Sequence, residues 1–310
     1  MKNKKLDISV VVCTYKRSIL LKNCLKSLVN QSMSRNYEII VVDNDAEESA
    51  KDIVNTFYSE VSKHGIHLHY LIEPEQNIAL ARNRGVVACK GEYIAIIDDD
   101  EYAAEDWLEN LFNTLVKYNA DGVFGPVHPV FPESFPKWMI RSPLFKASKR
   151  HTGQKIVGTS AATNNAFLTS VVLKSRPGPF DRTYGRTGGE DTELFNYLEK
   201  KGYFFVWCNE AVVYEIQEET RISLKWHLKR GYRGGWGYAA RTFREKSLFK
   251  ASLLILFKSL GGTLKSIYNA LSCYCNPKAA LFLFFRDFSG QIGKIGFLIG
   301  VKLEEYKRRK

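Results

Sequence analysis

The chain has 310 residues, 45% of them hydrophobic and 13% aromatic, ample for one large packed α/β domain or a domain with an appendage. Its net charge of +12 is uneven: residues 221–310 carry 19 Lys/Arg against 4 Asp/Glu, and residues 1–220 carry 26 against 29. Six cysteines without CxxC pairs or framework spacing exclude a disulfide-stapled fold and suit a reducing cytosol.

The apolar run before Thr14 is about five residues, too short for a signal-peptide core. No export is expected, and the Asn30-Gln31-Ser32 sequon carries no weight. Residues 8–12 are a β-branched run that reads as a buried strand, closed by Cys13-Thr14-Tyr15. Residues 17–30 place Ile19, Leu20, Leu21, Cys24, Leu25, Leu28 and Val29 at helical spacing. A second buried strand over 38–42 ends in Asp43-Asn44-Asp45. A polar helix near 47–63, a strand over 67–72 and a helix over 76–89 follow. The strand over 93–97 then runs straight into Asp98-Asp99-Asp100-Glu101.

Alternation of this kind argues a mostly parallel sheet covered by helices, with ligands at the carboxyl ends of the strands. Both acid clusters fall at such ends. Like charges about 4 Å apart repel by roughly 4 kcal/mol at a protein-surface dielectric of ~20, so a shared cation is the economical reason to keep four acids together. Mg²⁺ takes one or two carboxylates plus substrate phosphates. The competing reading is a solvated helix N-terminus, which Glu101, Glu105 and Asp106 would also suit. For Asp43-Asn44-Asp45 the competing reading is a plain turn.

Residues 122–185 hold seven of the nine prolines and read as loops and short strands over a site. Gly188-Gly189-Glu190-Asp191 opens a helix over 192–200, and strands are expected over 204–207 and 211–213. A basic helix is expected over 221–245. Residues 247–301 are apolar but interrupted by Lys250, Lys258, Lys265, Lys278, Arg286 and Lys294. The longest uncharged stretch there is twelve residues, 266–277, short of the roughly 18–20 needed to span a bilayer. Lys246, Lys250, Lys258 and Lys265 share one side of a helical wheel, which suits a helix lying in the membrane interface. Packing against the preceding domain is the alternative.

Taken in order, VVCTYKR, VVDND, NIALARNRG, IIDDDE and GGEDTELF carry a resemblance. Together they resemble the inverting family 2 glycosyltransferases of the GT-A fold, which use nucleotide-diphospho-sugars. The bacterial polysaccharide-assembly branch typified by succinoglycan glucosyltransferases looks closest. The resemblance spans about residues 7–235. It implies an α/β, Rossmann-like, mostly parallel sheet covered by helices over 1–220, with a nucleotide-binding half (about 7–120) and an acceptor-binding half (about 121–220). A basic amphipathic helical tail over 221–310 follows.

The resemblance also implies roles. Thr14, Tyr15 and Arg17 would line the nucleotide pocket, Asp43 and Asn44 would reach base and ribose, and Arg82 and Asn83 would approach ribose and diphosphate. Within the DxD-type motif, Asp98 would meet the sugar-nucleotide and Asp100 the Mg²⁺ or Mn²⁺, with Asp99 between them and Glu101 capping a helix. Glu215 stands where relatives carry a late metal ligand. Asp191 matches the base, with Glu190 holding the acceptor or tuning the site. Asn164 and Asn165 fall where relatives have a polar loop beneath the donor sugar.

The expected enzyme is thus a metal-dependent hexosyltransferase using a UDP-sugar and a saccharide or lipid-linked acceptor. It is expected in the cytoplasm, peripheral on the inner face of the cell membrane and bound to its anionic surface, with no nucleic-acid partner. The absence of a QxxRW signature argues for single additions, since Trp226 and Arg230 do not complete one. The rivals are an inactive sugar-nucleotide binder on the same fold, a nucleotidyltransferase lacking its Gly-rich loop, and a nucleic-acid-binding protein prompted by the basic tail.

Overall fold

The computed structural model describes residues 6–145, 150–186, 188–271 and 276–301. Among these, one compact unit comprises the residues up to His128 and those from 150 to Glu215. A second comprises Pro129 to Phe145 and the residues from Ile216 onward.

β1 (Ile8–Thr14) and β2 (Tyr37–Asp43) lack apolar–polar alternation because helices cover both faces of the sheet. α1 (Ser18–Val29) buries Leu21, Cys24, Leu25, Leu28 and Val29, the stripe that its spacing dictates. α2 (Lys51–Lys63) begins later than expected, because the backbone N–H of Ala50 is drawn to the Asp43 carboxylate at 2.7 Å. β3 (His67–Ile72) is the edge strand. α3 (Ile78–Ala88) is capped by Asn77, whose Oδ1 accepts from the N–H groups of Ala79 and Leu80. Gly85 lets α3 lie directly on β1, for a Cβ there would stand 2.5 Å from Val11 Cγ1.

β4 (Tyr93–Asp98), β5 (Glu101–Ala103), α4 (Trp107–Tyr118), β6 (Gly122–Phe124) and β7 (Val127–Val130) come next. α5 (Lys137–Ile140), β8 (Asn165–Thr169), α6 (Ser170–Leu173), α7 (Glu190–Lys200), β9 (Phe205–Trp207) and β10 (Val213–Ile216) complete this stretch. The main sheet runs β3-β2-β1-β4-β8-β6-β9. Every pairing in it is parallel except those of β8, which is antiparallel to both β4 and β6. A three-stranded sheet has the order β5-β10-β7.

Residues 122–185 hold loops and short strands, as expected, and two of those strands, β6 and β8, stand inside the main sheet. One expectation needs correction. Glu101 caps no helix, since it begins β5 and is buried, while Asp106 precedes the first turn of α4. Residues 211–213 supply only the start of β10.

The second unit contains α8 (Leu224–Glu245), α9 (Leu248–Leu271) and α10 (Pro277–Leu298). α8 and α10 approach so closely that a Cβ on Gly235 would meet the Gly290 carbonyl oxygen at 1.8 Å. Asn276 caps α10, with Pro277 in its first turn. Phe135, Met139 and Phe282 form this unit's own buried cluster. Among the described residues no helix is long and apolar enough to cross a membrane.

Candidate active site

Register sets the site. Thr14 at the end of β1 lies level with Asp43 of β2, and Cys13 lies level with Asp98 of β4. Three strand ends therefore deliver their polar residues to one edge of the sheet.

Asp43 is fully buried and held as an acceptor by the Ala50 N–H and by the Tyr70 hydroxyl at 2.8 Å. Burial raises its proton affinity, and those two hydrogen bonds oppose the rise. Asn44 is spent differently from the expected base contact. Its amide donates to the carbonyls of Glu73 (2.9 Å) and Glu75 (2.6 Å) and accepts from the Asn77 N–H (2.8 Å). Asn83 likewise clips the Phe180 backbone, donating to its carbonyl and accepting from its N–H, each at 2.8 Å. Both amides organise loops at this edge.

The acid run is arranged residue by residue. Thr14 Oγ1 donates to Asp99 Oδ2 at 2.7 Å, and Arg17 Nη1 reaches Asp99 at 3.2 Å and Asp100 at 3.3 Å. Glu101 folds back to accept from the Asp98 N–H at 3.1 Å and from the Asn164 amide at 3.2 Å, which buttresses the turn. Glu101 also lies opposite Glu215 in the β5–β10 ladder, while Tyr102 and Tyr214 stack on the other face with centroids 5.1 Å apart. Like charges directly opposite in a ladder destabilise it.

Burial pushes the carboxyls of Asp99, Asp100 and Glu101 up, Asp100 to about 7; Arg17 pulls Asp99 and Asp100 back, and Asp98 drives the rise further. The donor set is hard carboxylate oxygen, which fits Mg²⁺ or Mn²⁺. Among the described residues no three acidic, histidine or cysteine side chains converge into a complete cage.

Arg82 ties this cluster to the start of α7. It is buried, donates from Nη1 to Glu190 Oε1, and reaches Asp98 from Nη2 at 3.3 Å. Burial works against its charge, but Glu190 and Asp98 outweigh that and hold the guanidinium above its usual range. Glu190 is buried too, and its Oε2 has no hydrogen-bond partner among the described residues. Replacing Arg82 by methionine is expected to cost about 3–5 kcal/mol in urea unfolding, the penalty for stranding a buried charge. Adding Glu190→Gln should recover part of it, and equal stability of the single variant and the parent would refute the pairing.

Asp191 follows in the first turn of α7, half-buried, with Oδ1 accepting from the Thr192 N–H at 2.6 Å. Gly188 and Gly189 precede it at φ +77° and +98°, the left-handed region that glycine supplies without strain. Asn77 Nδ2 donates to the Arg182 carbonyl at 3.0 Å, so the loop leading to Asp191 is pinned to the N-terminus of α3. Tyr15 is half-exposed beside this edge. Asn165 is a buried clip, accepting from Trp107 Nε1 at 2.9 Å and donating to the Pro126 and Ala211 carbonyls. Sequence reasoning missed Tyr70, Asn77 and the burial of Glu101; only Asn77 left a signal, an N-cap residue ahead of a helical period.

Comparison with known proteins bears on this arrangement. Residues 9–175 match the model of Glycosyl transferase family 2. The chain is 34% identical to the succinoglycan biosynthesis protein ExoM of Rhizobium meliloti over 249 residues, 80% of this chain and 78% of that protein. It is 27% identical to the glucosyl-dolichyl phosphate glucuronosyltransferase of Haloferax volcanii, over 76% of this chain and 77% of the other. Among solved structures, residues 1–349 of S. aureus TarS superpose with a TM-score of 0.54 at 15% identity, over 96% of this chain and 92% of that one. The TarS complex with UDP-GlcNAc gives 0.52 at 18% identity, over 69% and 59%. The fold is shared with TarS.

Proposed function

The chain belongs to glycosyl transferase family 2, and from that premise we propose an inverting, metal-dependent transfer of a single hexose from a UDP-sugar. The acceptor is a saccharide or lipid-linked saccharide in the assembly of a bacterial surface polysaccharide. The observation that carries this reading is the Arg82 bridge, which links Asp98 at the end of β4 to Glu190, the neighbour of the base candidate Asp191 at the start of α7.

In this reading Thr14, Tyr15 and Asp43 receive the nucleoside, and Asp98 meets the ribose. Asp100, with Glu215, would hold Mg²⁺ or Mn²⁺, and Asp99 lies between the two tasks. When bound, the cation supplies neutralisation of the charge that grows on the departing diphosphate. Arg17 and Arg82 contribute permanent positive charge at the same edge. Asp191 removes the proton from the acceptor hydroxyl as its oxygen attacks the anomeric carbon from the face opposite the diphosphate. Glu190, committed to Arg82, keeps that guanidinium in place. The nucleotide-binding and acceptor-binding halves fall about residues 7–120 and 121–220. The basic C-terminal region holds the enzyme on the cytosolic face of the membrane, where a lipid-linked acceptor is presented. ExoM's role in succinoglycan biosynthesis and the other relative's dolichyl-phosphate acceptor, taken from their names, support the acceptor class.

The test is a thermal-shift panel of UDP-sugars with and without Mg²⁺ or Mn²⁺, followed by UDP release with each donor that binds. One UDP-sugar should raise the melting temperature only when the cation is present, and should release UDP when an acceptor is added. Binding without UDP release from any donor and acceptor pair would leave an inactive sugar-nucleotide binder instead.

A further inference from the structure

α9 is built inside out for a water-soluble helix. The side chains it buries are Ala251, Ile255, Ser259 and Ser266, mostly small. Its large ones face outward: Phe249, Leu253, Phe257, Leu260, Leu264 and Tyr268 are between 61% and 78% exposed. Their spacing of three and four residues keeps them on one stripe. The helix has 24 residues, hence a stripe about 36 Å long. An ordinary surface helix turns such a stripe toward the core.

The charge along the stripe identifies what covers it. Lys250, Lys258 and Lys265 are exposed and recur every seven or eight residues along one flank, and α9 contains no Asp or Glu. A second copy of this helix laid on the stripe would bring lysine rows together with no acid from α9 to answer them. A layer of anionic phosphates with apolar chains beneath it matches both the row and the stripe. Three lysines along its length, and no membrane-crossing helix among the described residues, favour lying in the interface over spanning it.

We propose that the outward stripe of α9 is a docking surface for an anionic lipid bilayer, seated parallel to the membrane with Phe249, Phe257 and Tyr268 among the acyl chains and the lysines on the headgroups. This deepens the peripheral-membrane part of the proposed function, and it is tested without any turnover, so either reading fails alone.

The full-length protein should co-sediment with vesicles of equal parts phosphatidylglycerol and phosphatidylcholine, and far less with phosphatidylcholine alone. Replacing Lys250, Lys258 and Lys265 by glutamine should weaken binding on the order of a hundredfold, roughly fivefold for each lysine. The exposed triple change Leu253→Ser, Phe257→Ser and Leu260→Ser should abolish sedimentation through loss of apolar burial. Both variants should keep the parent's melting temperature. Wild type that ignores anionic vesicles, or variants that bind as it does, would overturn the proposal. So would a dimer in solution that the serine variant dissociates, which would assign the stripe to a second copy.

Discussion

Asp191→Asn is expected to lower the turnover number by 10²–10⁴-fold while leaving UDP-sugar binding unchanged, the signature of a lost general base. The choice of Asp191 over its neighbour rests on what each carboxylate is free to do. Glu190 is buried and already gives one oxygen to Arg82, so taking up an acceptor proton would break the pair that compensates a buried guanidinium. Asp191 is half-buried in the first turn of α7, outside the Arg82 pair. Among the described residues, its hydrogen-bond partners are the local Thr192 N–H and hydroxyl. The two acids should therefore separate in experiment. Asp191→Asn should cut turnover with an unaltered melting temperature and an unaltered thermal shift by donor. Glu190→Gln should shift stability and donor affinity together, because it loosens Arg82. Asp191→Asn with parental turnover would sink the assignment.

What the sequence disclosed, and what it hid, follows from the range of the interactions involved. β1, β2 and β4 were legible because strands covered on both faces need no partner information to be recognised: the β-branched runs 8–12, 38–42 and 93–97 are sufficient. Acids at the ends of those runs were legible for the same reason, since local order puts them at the carboxyl edge. β8 was not legible. It is five residues long and begins with Asn165, whose burial depends on Trp107, Pro126 and Ala211, between 39 and 58 positions away. Asn44 and Asn83 looked like ligand contacts because both lie in motifs. Their amides instead go to backbone 29 to 97 residues distant, which no local pattern encodes. Glu101 was misjudged through its neighbours: an acid after three acids suggests a solvated helix start, whereas the β5–β10 ladder draws it into the interior opposite Glu215.

Asp100→Asn should produce a protein that is more stable yet inactive, and the sign follows from the acid cluster. Burial, then the charge of Asp98, pushes the Asp100 carboxyl up to about 7, with Arg17 opposing and Asp99 and Glu215 adding to the rise. In the unfolded chain an aspartate titrates near ~3.9. Between about pH 4 and 7 the folded, metal-free protein therefore holds a proton that the unfolded chain has released. Stability must fall as pH rises through that window and level off above it. The whole effect is at most about 4 kcal/mol, since a tenfold change in proton affinity corresponds to ~1.4 kcal/mol. Asparagine has nothing to ionise, so the metal-free variant should show a flatter profile from pH 4 to 7 and a higher urea midpoint than the parent at pH 8. Addition of Mn²⁺ with UDP should stabilise the parent and leave the variant unmoved. Transfer should fall roughly a thousandfold if ~4 kcal/mol of charge stabilisation at the diphosphate is lost. A misfolded variant would lose activity and stability together, so the opposite movement of the two isolates the electrostatic cause. Equal metal responses in parent and variant would move the ligand role from Asp100 to Asp99 or Glu215.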